Sequence, residues 1–133
     1  MFEGCTSLVN APELPATTLA SNCYYSMFDG CTSLTISPEL PAEILDSGCY
    51  SYMFYGCTKL KYIKCLATDI SATNCTYNWV NGVASTGTFV KSLNMNEWTT
   101  GINGIPEGWT VLDYVPSSLT PKIISIDADI KNN

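Results

Sequence analysis

The residues of this chain best equipped for chemistry are its seven cysteines, and their positions are regular. Cys5, Cys31 and Cys57 lie 26 residues apart, Cys23, Cys49 and Cys75 repeat that interval, and Cys65 stands alone. A thiolate can serve as nucleophile, metal ligand or disulfide partner. Nucleophilic catalysis of the Cys-His or Ser-His-Asp kind is ruled out within the chain, which has no histidine. No lysine or arginine recurs in phase beside a cysteine to lower its pKa. Zinc fits poorly, because there is neither a Cys-x-x-Cys pair nor a histidine. Disulfides fit little better: an odd count leaves one thiol over, and equivalent residues of stacked copies point side by side. The reading adopted is two ladders of buried free thiols acting as small apolar residues.

The carboxylates offer less. Glu13 and Glu39 share a phase, but copies of one position sit side by side, not across a cleft as hydrolysis needs. Asp127-Ala128-Asp129 lacks the glycine and distal glutamate of a calcium loop. Asn74-Cys75-Thr76 matches a glycosylation acceptor, a three-residue pattern common by chance. No phosphate-cradling glycine motif occurs. The expectation is therefore no catalytic residue, no metal and no cofactor.

Composition narrows the partners. The 133 residues carry 12 acidic against 6 basic side chains, a formal net charge of −6, which penalises contact with nucleic acid. No stretch of 18 or more apolar residues is present to span a membrane. Met1 is not followed by a basic segment and apolar core, so no signal peptide is read. It falls in phase with Met27 and Met53, which reads as a piece cut from a longer array.

The elements that would position these residues are set by a repeat. Met53-Phe54-Tyr55-Gly56-Cys57-Thr58-Lys59-Leu60 echoes Met1 to Leu8 and Met27 to Leu34. Residues 1–26 and 27–52 match at 16 of 26 positions, and 27–52 and 53–78 at nine, so the pattern loosens toward the C-terminus. A fixed period of this size predicts stacked units rather than a folded enzyme core. Within one unit a strand is expected near residues 34–37, ended by Pro38 and Pro41. A helical first turn is expected over 42–46, then a second over 49–54 with Met53 and Phe54 inward, closed by a left-handed Gly56.

The pattern Phe-x-x-Cys-x-x-Leu at 28–34 and 54–60, followed by Leu40-Pro41, resembles the BspA-like branch of the leucine-rich repeats. The resemblance covers residues 1 to about 80. Ala11 and Ser37 depart from it at a core position usually held by isoleucine, which Ile63 satisfies. The expected fold is an α/β solenoid: a short right-handed leucine-rich-repeat stack with a small parallel sheet, short helical turns and a β-rich C-terminal cap. Residues 1–78 form three repeats and 79–114 the cap, where all three tryptophans fall. A strand at 85–90, a short turn at 94–98 and a turn-rich hairpin at 101–109 are expected there. Residues 115–133 read as a linker and a strand alternating Ile124, Ile126, Ala128 and Ile130 with polar residues. That strand could equally dock on the cap, exchange with a neighbour or open a further domain.

What the resemblance implies is a non-enzymatic adhesion module of a bacterial cell-surface or secreted protein. Its ligand would be a host protein, a glycan or another cell, with no nucleic acid and no membrane insertion. A virion or fibre spacer and a purely structural stalk are the alternatives. The expected binding face is the set of variable positions on the strands: Val9, Asn10, Thr35, Ile36, Lys61 and Tyr62. The N-terminal unit, uncapped in this reading, is a surface for self-association.

Overall fold

A computed structural model describes residues 2–115. Three short strands, β1 (Tyr62–Cys65), β2 (Thr88–Ser92) and β3 (Thr110–Tyr114), form one parallel sheet in that order. Ahead of β1 the same line continues as isolated parallel bridges, Asn10 to Ile36 and Ile36 to Tyr62. A reason for the interruption lies in the sequence. Pro12 and Pro38 hold the position that Lys64 occupies within β1, and proline has no N–H to give a ladder.

The rest of each coil is built from turns that hydrogen-bond to the next coil. Asn22, Tyr24, Ser26, Phe28 and Gly30 donate their amides to the carbonyls of Ser47, Cys49, Ser51, Met53 and Tyr55. One coil later Gly48, Tyr50, Tyr52, Phe54 and Gly56 donate to Thr73, Cys75, Tyr77, Trp79 and Asn81. The amides between them turn back three residues, as in Tyr25 to Asn22, Met27 to Tyr24 and Asp29 to Ser26. Every fourth residue is left-handed: Asn22, Ser26 and Gly30, then Gly48, Tyr52 and Gly56, then Asn74, Asn78 and Gly82.

This geometry overturns the expected α/β leucine-rich-repeat solenoid with helical turns. Among the described residues there is no helix, and the named strands amount to three in one parallel sheet. An α-helix needs right-handed residues in succession and amides bonded four residues back. Here a left-handed residue resets the chain every fourth position, and every second amide belongs to the neighbouring coil. The expected turns at 42–46 and 49–54 are therefore not helical; Ile44 instead bridges Asp69 in parallel. The strand expected at 34–37 is only the bridge at Ile36, and the one expected at 85–90 begins at Thr88. Nor is 101–109 a hairpin: it carries the chain round so that β3 joins β2 in parallel. The β-rich cap is thus a continuation of the same sheet. The alternating segment 124–130 lies outside the described residues.

The core follows the coils. Phe2, Phe28 and Phe54 stack with ring centroids 5.7 and 5.8 Å apart, and Tyr24 stacks on Tyr50 at 6.1 Å. Both columns meet Trp79, which lies against Tyr50 and Phe54 and is covered in turn by Trp98 at 5.6 Å. Each such aromatic contact contributes about 0.5–1.5 kcal/mol beyond its buried area. The third coil finds its ladder partners in the segment after β2. Val80 donates to Ile102, the Thr76 hydroxyl to Asn103, and the Trp79 indole to Gly104. At Gly87 any side chain would collide with the Lys61 carbonyl and the Trp109 ring, so glycine there is dictated by close approach.

Candidate functional site

The six positions expected to form a binding face are placed along the sheet line. Asn10, Ile36 and Tyr62 are consecutive parallel partners, and the column continues through Thr88 to Thr110. Val9, Thr35 and Lys61 are one residue earlier in each coil; the Lys61 amide donates to the Thr35 carbonyl and its carbonyl accepts from the Thr88 amide, both at 2.9 Å. Val9 and Ile36 are 51% and 54% exposed, Asn10 and Lys61 are exposed, and Thr35 and Tyr62 are half-buried. The face thus presents two apolar side chains, one cation, one amide, one hydroxyl and one phenol on a fixed backbone.

Charge sits beside this column. Lys64 lies 3.3 Å from Glu39 and 4.1 Å from the centre of the Tyr114 ring, tying the second coil to β3. Lys91 pairs with its cross-strand partner Asp113 at 2.6 Å. Glu13 and Glu39 both line an open groove of about 480 Å³ walled by Pro12, Pro15, Pro38 and Pro41. A neighbouring groove of about 620 Å³ runs past Ile44, Glu43 and Asp46. Asp69 accepts bonds from the Ser71 amide and hydroxyl, which hold its carboxyl below the usual range.

The cysteines are all free. Cys31, Cys49, Cys57, Cys65 and Cys75 are buried, Cys5 is half-buried and Cys23 exposed, so the first member of each ladder is open to solvent. The Cys31 thiol donates to the Phe2 carbonyl and the Cys57 thiol to that of Phe28, each at 3.0 Å. Burial pushes Cys49, Cys57 and Cys65 up to about 12, and raises Cys31 and Cys75. A thiol so displaced is protonated at neutral pH and is a poor nucleophile and ligand. Among the described residues no group of three or more His, Cys, Asp or Glu side chains converges as a metal would require. Asp127 and Asp129 lie outside the described residues. In the Asn74-Cys75-Thr76 acceptor pattern, Asn74 is exposed, while Thr76 is buried and donates its hydroxyl to Asn103.

One surface had no counterpart in the sequence reading. Tyr25, Tyr52, Tyr55 and Tyr77 gather on the turn ladder, with Tyr52 touching the other three. They escape a search by period because their phases are broken: Tyr25 and Tyr77 share one phase but Ser51 stands between them, and the phases of Tyr52 and Tyr55 carry Asn78 and Asn81 in the third coil. A count of tyrosine by local region, not by phase, would have found them. No family model, no curated protein and no solved structure matches this chain.

Proposed function

We propose that the chain is a non-enzymatic recognition module of a bacterial surface or secreted protein, engaging a host protein, a glycan or another cell. The observation that carries the reading is the sheet column itself. Side chains of differing chemistry stand at fixed intervals on a hydrogen-bonded backbone, with Val9 and Ile36 left 51% and 54% exposed. Rigid presentation lowers the ordering cost of binding, and tyrosine beside exposed apolar residues is a feature of contact surfaces. The bacterial surface setting rests on the resemblance of the Phe-x-x-Cys-x-x-Leu pattern.

Adhesion of the purified chain, coated on a plate, to cultured epithelial cells tests the reading. An Ile36→Asp, Tyr62→Ala double variant should lose at least about tenfold of the adhesion at unchanged melting temperature. An Ile44→Ser variant, in the groove, should keep it. Adhesion indifferent to the double variant would overturn the assignment of this face.

A further inference from the structure

We propose that Tyr25, Tyr52, Tyr55 and Tyr77 form an aromatic platform that binds neutral carbohydrate. The cluster is compact yet open. Ring centroids from Tyr52 lie 5.7 Å from Tyr25 and 5.6 Å from both Tyr55 and Tyr77, while Tyr25, Tyr55 and Tyr77 remain 40–50% exposed. Tyr52 meets its neighbours at 57°, 56° and 76°. Tilted and edge contacts leave ring faces uncovered, unlike the parallel Phe2–Phe28–Phe54 stack in the core.

The backbone under Tyr52 argues that packing is not the reason for the ring. Its φ is 56°, in the left-handed region that asparagine and glycine tolerate and a bulky aromatic does not. The equivalent residues of the adjacent coils are Ser26 at 54° and Asn78 at 52°, so the fold accommodates small polar residues here. A strained residue that contributes only a half-buried ring to the fold points to a use outside it. The position is nevertheless rigid: the Tyr52 amide donates to Tyr77, its carbonyl accepts from Tyr55, and the Ser51 hydroxyl donates to the Tyr77 carbonyl.

The surroundings select the ligand. The three arcs that build the platform, residues 20–30, 46–56 and 72–82, contain no lysine or arginine, and their only charges are Asp29 and Asp46. Sulfated, phosphorylated and sialylated ligands therefore find no counter-ion on these arcs and meet a chain of net charge −6. What the arcs do supply is amide and hydroxyl groups, from Asn22, Ser26, Asn74 and Asn78. Flat rings for the apolar faces of a pyranose, with neutral donors and acceptors beside them, match an uncharged sugar. This surface is additional to the sheet face, on a different arc of each coil.

The test is a glycan array carrying neutral, sialylated and sulfated sugars, probed with the full chain and followed by titration of the best-retained neutral sugar. Three of the tyrosines are replaced by residues that a copy of their own position already carries: Tyr25→Ser, Tyr52→Asn, Tyr55→Asn. These variants respect the fold, and Tyr52→Asn should melt at the same or a higher temperature. The expected result is retention of neutral sugars and a loss of at least tenfold in affinity for Tyr52→Asn, with Tyr25→Ser and Tyr55→Asn weakened less. Ile36→Asp on the sheet face should bind sugar as the parent does, which separates this proposal from the adhesion reading. Retention confined to charged glycans, no retention at all, or affinity unchanged in Tyr52→Asn would overturn it.

Discussion

The first and second coils are close to the same sequence and are not the same structure. Phe28, Cys31, Leu34 and Cys49 are fully buried and Tyr50 nearly so, whereas their copies Phe2, Cys5, Leu8 and Tyr24 are half-buried and Cys23 is exposed. The difference is a neighbour. The second coil is covered on both sides, and the first, within the described residues, on one. Residue type specifies which side chains face along the stack; the presence of the next layer specifies how much each is worth. In such an arrangement stability is approximately a sum of nearest-neighbour terms.

Thiol labelling should show the largest contrast. Cys23 should alkylate at the rate of a free thiol in the native chain, while Cys49 waits for opening of the stack. A rate ratio of about a thousandfold or more is expected from the usual free energies of such opening, read by mass spectrometry of timed samples. Comparable rates would mean that the coils are not stably stacked. Alkaline titration sharpens the same point. A thiol held protonated by burial stabilises the fold fully below about pH 9, where the unfolded chain would lose its proton. That contribution is lost as pH rises toward about 12, the displaced value for Cys49, Cys57 and Cys65. Each should remove about 1.4 kcal/mol per pH unit in that window, seen as a falling urea midpoint; a flat profile to pH 11 would refute the burial.

Substitution isolates the neighbour effect at one residue type. Phe28→Ala should cost about 3–5 kcal/mol, and Phe2→Ala about 1 kcal/mol, by chemical denaturation. Equal losses would show that the first coil is covered after all. Ser26→Gly, at a left-handed position, should gain up to about 1 kcal/mol, and a loss would count against the alternating turn geometry. Smallest of all, Lys91→Met should change stability by less than about 1 kcal/mol, since the Asp113 carboxylate of the pair stays about half exposed; a larger loss would mark β3 as dependent on it.

The candidate face illustrates what was readable in advance. Asn10, Ile36 and Tyr62 differ between copies, and such variability is visible in residue letters. Their exposure and alignment come from the parallel bridges. The tyrosine platform was not readable, because neighbours on adjacent coils need not share a phase: Tyr25 reaches Tyr52 and Tyr52 reaches Tyr77 diagonally. The helical turns expected at 42–46 and 49–54 do not form, for a related reason. Proline at a first turn and glycine at an end are compatible with a helix, but equally with a chain of turns whose amides bond sideways.

By itself the sequence determined the spacing of the copies, the prolines that interrupt the ladder at Pro12 and Pro38, and the recurring glycine and asparagine at Gly30, Gly56, Gly82, Asn22, Asn74 and Asn78 where left-handed backbone is tolerated. These are local matters, fixed by what a single residue's backbone can adopt. Tertiary structure alone decided that every second amide would leave its own coil for the next, since a hydrogen bond between coils exists only once both are in place. The same contact decided that turns replace helices, which thiols are sealed, and which tyrosines meet.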